Sequence, residues 1–305
     1  MTDLAIFVIF IFVALSEGGA RQNTSATVSQ RKGVCIAPEF YQCSDLSGLP
    51  GASWYYNWGT QPSPLSHPEC DGVPVPESPG QESLDTYDDS VLSPEFVPMI
   101  WGWYGQQLPP LPDYDTVLGF NEPNHASQAN LSPEEAALGW MELQAAYPDK
   151  TLVSPSASPP TTEEWFDEFF EICEALGCRI DYIGTVYLNP SNALCNKLPS
   201  ATHSYNNKPE WTINFVNGLY ERYGKKIWLT EFAMSSTMSL EDEMTYMQEV
   251  LPWLESSPAI WRYSWFVHRW PKQGSGEGWY LDGVISLMEE DSNTLTQLGR
   301  YYNDF

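Results

Sequence analysis

Glu122 and Glu231 each close an apolar run that reads as a buried strand. In Thr116-Val117-Leu118-Gly119-Phe120-Asn121-Glu122-Pro123-Asn124-His125, the residues Val117, Leu118 and Phe120 supply the apolar, partly β-branched pattern of a strand covered on both faces. Pro123 has no N–H with which to continue a ladder, so the strand ends near Glu122. Lys226-Ile227-Trp228-Leu229-Thr230-Glu231-Phe232-Ala233 has the same grammar. The carboxyl ends of buried strands are where α/β barrels carry their chemistry. Roughly a hundred residues apart, the two glutamates can face each other across one cleft. Two carboxylates whose surroundings separate their pKa values can serve as proton donor and as base or nucleophile. Either glutamate alone is more often a cap or an ion-pair partner than a catalyst; the pair points to catalysis.

The wording of the two segments adds to this. Gly119-Phe-Asn-Glu-Pro-Asn124 and Trp228-Leu-Thr-Glu-Phe-Ala233 resemble the acid/base and nucleophile motifs of glycoside hydrolase family 128, whose members are retaining endo-β-1,3-glucanases on a (β/α)8 barrel. Ser53-Trp-Tyr-Tyr-Asn-Trp-Gly59, Phe96-Val-Pro-Met-Ile-Trp-Gly102 and Leu298-Gly-Arg-Tyr-Tyr-Asn-Asp-Phe305 fit the same family, so the likeness runs from about Gly33 to the C-terminus. It implies Glu122 as acid/base and Glu231 as nucleophile in a double displacement on β-1,3-glucan, with no cofactor and no metal. It also implies that Asn121 hydrogen-bonds the sugar 2-hydroxyl and that His203 and Tyr205 lie near the nucleophile. Trp58, Trp101 and Trp265 end strands at the same mouth and are candidates to stack on sugar rings, a Trp-rich core being the alternative. A serine-hydrolase elbow of the Gly-x-Ser-x-Gly type is absent, as is a phosphate-cradling glycine loop.

Strands expected at Gly33–Ile36, Ser53–Trp58, Phe96–Trp101, Val117–Asn121, Thr151–Ser154, from Ile180, from Ile227 and at Ile260–Val267 would position these residues. Helices are expected between the later strands. Ser132-Pro-Glu-Glu135 and Thr161-Thr-Glu-Glu164 read as capping boxes, and Gly177 and Gly224 as stops. A further helix opens at Ser239, and the Leu281–Met288 stretch reads as a hairpin before the last one. Strand alternating with helix means a mainly parallel sheet. The expected architecture is a single α/β domain, a (β/α)8 TIM barrel over 33–305 with Glu122 on the fourth strand and Glu231 on the seventh, the strand count leaning partly on the resemblance. Seven prolines between Gln61 and Pro94 mark an irregular loop in the second quarter, where a complete barrel would want a helix.

The apolar run Leu4–Leu15 is too short to span a bilayer comfortably and fits a signal peptide at 1–20, followed by a tail at 21–32 and secretion; an uncleaved anchor is the alternative. The formal charge of −26 becomes −24 once Asp3 and Glu17 leave with the leader. So acidic a chain argues against nucleic acid or an anionic membrane as partner and suits a neutral polysaccharide, bound by a monomer. Six cysteines, at 35, 43, 70, 173, 178 and 195, fit disulfides in a secreted protein, Cys173–Cys178 first among them because they bracket Gly177 at a helix end. The histidines at 67, 125, 203 and 268 form no zinc pattern. Asn23-Thr-Ser and Asn130-Leu-Ser are glycosylation sequons.

One segment departs from the expected alternation. Thr185–Ala201 separates Asp181-Tyr-Ile-Gly184 from Thr202-His-Ser-Tyr205, which together would make one strand, and reads as a loop over the cleft or a retained intron. Two rival functions stand beside a β-1,3-glucanase: a barrel that binds β-glucan with little turnover, and a glycosidase for another β-linked glycan. Binding alone has no need of two glutamates.

Overall fold

The computed structural model describes residues 28–63, 70, 94–188, 208–234, 239–271 and 283–305. Its strands are β1 Lys32–Cys35, β2 Trp54–Tyr56, β3 Glu95–Phe96, β4 Thr116–Leu118, β5 Thr151–Val153, β6 Ile183–Leu188, β7 Ile227–Ala233 and β8 Ile260–Trp265. From β4 onward each strand is followed by a helix: α1 Pro133–Ala146, α2 Thr162–Leu176, α3 Pro209–Tyr223, α4 Leu240–Ser256 and α5 Gln297–Asp304. All strand pairings are parallel, as an alternating pattern requires. They form a six-stranded sheet in the order β3-β2-β1-β8-β7-β6 and a two-stranded ladder β4-β5.

An uninterrupted eight-stranded ring was expected; among the described residues the ladder is instead broken at two seams. Single parallel bridges cross them, Met99 to Leu118 at one, Val153 to Tyr182 and Ala157 to Thr185 at the other. Proline explains the first seam. Glu95, Val97 and Met99 donate towards β2, while Pro98 faces β4, where its carbonyl accepts from Leu118 N–H at 2.9 Å but it has no N–H to give back, so the ladder between β3 and β4 stays a single bridge.

The helices largely follow their sequence signals. Ser132 and Glu135 close a capping box on α1, Ser239 and Asp242 one on α4, and Gly177 and Gly224 end α2 and α3 at φ 79° and 66°. α2 is the exception. The Thr161 hydroxyl does not cap it but accepts from Asn124 Nδ2 at 3.0 Å, so the turn after Glu122 takes the group that would have capped the helix. The expected hairpin near 281–288 is, where described, a 3-10 turn at Gly283–Ile285 with one antiparallel bridge from Met288 to Leu295.

Cys173–Cys178 is disulfide-bonded as expected, Cys43–Cys70 is a second bridge, and Cys35 is a buried free thiol. Asn130 is exposed. The leader, Asn23, 64–69 and 71–93 within the proline-rich loop, His203, Tyr205 and Cys195 lie outside the described residues. The segment expected to interrupt the sixth strand does not begin at Thr185. Thr185–Leu188 continue β6 against β7, because Thr-Val-Tyr-Leu is itself a strand-forming run. Thr185 is buried and its hydroxyl donates to the Ala157 carbonyl at 2.9 Å, so excising 185–201 would cut into the sheet rather than remove a loop.

Gly119 sits where β4 runs into the Glu122 turn. A Cβ there would stand 2.7 Å from the Trp140 ring and 2.8 Å from the backbone at Ser154 and Pro155. Trp140 is fully buried and its indole N–H holds the Arg179 carbonyl at 2.9 Å, so the ring has nowhere to go. Gly119→Ala is expected to destabilise the fold by ~1–3 kcal/mol through overpacking, read as a lower denaturant midpoint with unchanged slope.

Candidate active site

β7 is the strand that carries Glu231. Its register against β6 shifts between Thr185 and Val186, and its register against β8 slips between Leu229 and Phe232, so both neighbours are irregular around Thr230 and Glu231. Such bulges re-aim a side chain. Glu231 is 3% exposed, and two donors meet its Oε1: the Tyr56 hydroxyl at 3.0 Å and the Trp58 indole N–H at 2.8 Å. β2 supplies Tyr56, and alternation puts Trp54, Tyr56 and Trp58 on one side of the chain. Trp58 is held in a left-handed conformation at φ 59°. The buried Asn57 amide fixes that turn, donating to Gln61 O at 2.9 Å and Ser63 Oγ at 3.1 Å while accepting from Gly59 N–H at 3.1 Å.

Glu122 comes from the other ladder, at φ 39° in a turn whose N–H donates to Ser156 O at 3.0 Å. Asn124 braces that turn, donating from Nδ2 to Ser158 O at 2.6 Å and accepting from Ser158 N–H at 3.1 Å. This presents Ser158 to Glu122. Burial raises the Glu122 pKa, while a hydrogen bond from Ser158 and the nearby His125 oppose it. Burial and then the Glu122 charge push Glu231 up to about 8, Trp58 and Tyr56 pulling it back. Two carboxylates coupled in this way titrate as a pair, sharing one proton between the two steps. The pattern is that of a site able to offer one carboxylic acid and one carboxylate together.

Asn121 lies beside Glu122 and is 3% exposed; its Nδ2 donates to Gln128 Oε1 at 3.2 Å and its buried Oδ1 has no partner among the described residues, leaving an acceptor for a hydroxyl. A cavity of about 340 Å³ is lined by Trp58, Thr60, Ile100, Trp101, Tyr104 and Leu108 among others; of the side chains above only Trp58 reaches it, and neither glutamate lines it. Trp58 and Trp101 both line that cavity. Trp265 does not. It is fully buried, donates to Ile285 O at 2.8 Å and packs on Phe232 at 5.1 Å, because Ser264 takes the inward position on β8 and the next residue turns outward to the helices. Among the described residues no cluster of three His, Cys, Asp or Glu could hold a metal ion, and no helix is long and apolar enough to cross a membrane.

The family described as Glycosyl hydrolase catalytic core matches residues 39–302. The chain belongs to that family. Among its relatives, this glycosyl hydrolase is 27% identical over 287 residues to Alkali-sensitive linkage protein 1 of Schizosaccharomyces pombe, covering 91% of this chain and 45% of the relative, so it spans about half the length of that protein. A family 128 (subgroup II) endo-β-1,3-glucanase from Sorangium cellulosum is similar in structure, at TM-score 0.65 and 28% identity over 90% of this chain and 97% of the other. A mutant of a subgroup I endo-β-1,3-glucanase from Amycolatopsis mediterranei, in complex with laminaritriose and laminaribiose, has TM-score 0.65 and 25% identity over 90% of this chain and 99% of the other. The family 128 resemblance of the two glutamate motifs thus stands for nearly the whole glycosyl hydrolase core.

Sequence reasoning missed Tyr56, Asn57 and Ser158. Tyr56 carried a signal, two residues before Trp58 on a strand; Asn57 and Ser158 act through turns that no local pattern specifies. The Trp58 N–H gives a test. Trp58→Phe keeps a ring for stacking but removes a charge-assisted donor, so kcat is expected to fall ~10–100-fold with KM little changed. A loss confined to KM would make Trp58 a stacking residue only.

Proposed function

We propose that this chain is a secreted, retaining β-1,3-glucan hydrolase on a (β/α)8 barrel, acting as a monomer without cofactor. The observation that carries the reading is the coupled pair of carboxylates, one presented from each of the two ladders, with Glu231 anchored by two donors and Glu122 raised by burial. Glu122 protonates the leaving oxygen while Glu231 attacks the anomeric carbon; Glu122 then takes a proton from water as the glycosyl ester hydrolyses. Asn121 Oδ1 accepts from the sugar 2-hydroxyl, and Trp58 and Trp101 bracket the sugar. The laminari-oligosaccharides held by the Amycolatopsis relative support a β-1,3-glucan as substrate. The seam bridges support closure of the barrel, and the apolar leader with two disulfides supports secretion.

Incubation with laminarin tests this, with released reducing ends assayed and the anomer of the first product followed by NMR. Hydrolysis to the β-anomer is expected. Binding without release would leave a glucan-binding barrel, and cleavage of mixed-linkage glucan or mannan in preference to laminarin would move the substrate to another β-linked glycan.

A further inference from the structure

Three side-chain donors converge on one backbone carbonyl directly beneath Glu231. The Thr230 oxygen accepts from the Ser264 hydroxyl in a short contact, and lies 3.2 Å from Cys35 Sγ and 3.1 Å from Tyr56 Oη. All three donors are fully buried or nearly so, and Cys35 and Ser264 are themselves 3.5 Å apart. A carbonyl oxygen has two lone pairs, and each of these side chains has one proton. Three donors on two acceptor positions leave one donor to look elsewhere. Cys35 has the Tyr56 oxygen at 3.6 Å as a weak second acceptor, but only Tyr56 has a second acceptor of higher affinity, the Glu231 Oε1 at 3.0 Å.

We propose that Cys35 and Ser264 are positioning residues which fill the Thr230 carbonyl and so commit the single Tyr56 proton to Glu231 Oε1. With the Trp58 N–H on the same atom, Oε1 is fully engaged and Oε2 is the oxygen left to attack the anomeric carbon. The proposal rests on the double-displacement reading above. It explains why a free thiol is kept in the interior among hydroxyls: Cys35 must stay protonated to donate, and burial together with the Glu231 charge pushes its pKa well up. The titratable groups that face Glu231 among the described residues are Cys35 on β1, Tyr56 on β2 and Glu122 beyond β4.

The experiment is a double-mutant cycle of Cys35→Ala and Tyr56→Phe, read by titrating the Glu231 carboxyl in protein carrying 13C-labelled glutamate and by kcat and KM on laminarin. Cys35→Ala frees one position on the Thr230 carbonyl, and Tyr56 then divides its proton between the two acceptors. The Glu231 midpoint is expected to rise by about half a pH unit and kcat to fall ~3-fold at constant KM. Cys35→Ser, which keeps a donor, is expected to restore both. In the Tyr56→Phe background Cys35→Ala should change neither. A midpoint that does not move, or the same kcat loss with and without the Tyr56 hydroxyl, would overturn the proposal and leave Cys35 as packing. Should Cys35→Ala fail to fold, Ser264→Ala runs the same cycle from the other donor. An inverted product from the wild-type enzyme would instead overturn the double displacement, while the carboxyl titration still reports on the network.

Discussion

Glu231→Ala is expected to lower kcat on laminarin by roughly 10⁴-fold or more with little change in KM, because in the proposed double displacement the side chain forms and breaks its bond to the sugar only along the reaction path. The cavity left beside Tyr56 and Trp58 is lined by two free donors, which suits a small anion. Azide should therefore restore part of the rate on a substrate with a good leaving group, giving a glycosyl azide of inverted configuration. A retained azide would mean that the roles of Glu231 and Glu122 are reversed. The same residue shows in stability. In the native protein burial, and then the coupling to Glu122, holds the last proton of the pair up to about 8, whereas in the unfolded chain it leaves near 4.5, so the contribution is undiminished below the lower value and is lost as pH rises through the upper one. Glu231→Gln should then raise Tm at about pH 8 and leave it unchanged near pH 4; equal effects at both would show that burial of this carboxyl carries no such cost.

Glu122→Gln is expected to lower kcat/KM by ~10²–10⁴-fold on a glucan, whose leaving sugar needs the proton, and by much less on an activated aryl glycoside. The pH profile should change shape as well as height. Glu231 loses the second of the two causes that hold it near about 8, so its titration moves down. The alkaline limb, which belongs to loss of the shared proton, should vanish and leave a single acidic limb. A bell of unchanged width would place the essential acid elsewhere. Azide with Glu122→Ala should give the retained glycosyl azide, the opposite outcome to that expected for Glu231→Ala.

The two candidate glutamates were legible because each stands in or just after a run whose composition allows little but a buried strand; proline marks the turn after Glu122, whereas β7 carries on past Glu231 to Ala233. Helix ends were legible for the same local reason, Ser132, Ser239, Gly177 and Gly224 each acting within one turn of themselves. What could not be read were contacts made across the fold. Asn124, 37 residues from Thr161, takes the hydroxyl that local rules assign to a helix cap. Trp265 reads as a strand-end aromatic like Trp58 and Trp101, but one residue of phase on β8 turns it into the core. Cys35 shows in the sequence only as an unpaired cysteine; its neighbours Tyr56, Ser264 and Thr230 come from three other strands.

Trp58 and Glu122 both hold a left-handed backbone, at φ 59° and 39°, although neither is glycine, and such conformations cost of order 1 kcal/mol each. Trp58 donates to Glu231 and Glu122 couples to it from the other ladder, so this discomfort sits on both sides of the carboxylate pair. Selection on folding alone and selection on turnover would therefore pull these positions in opposite directions. A library enriched only for heat resistance should accumulate glycine or asparagine at 58 and 122, and its most robust survivors should be the ones that no longer cut glucan.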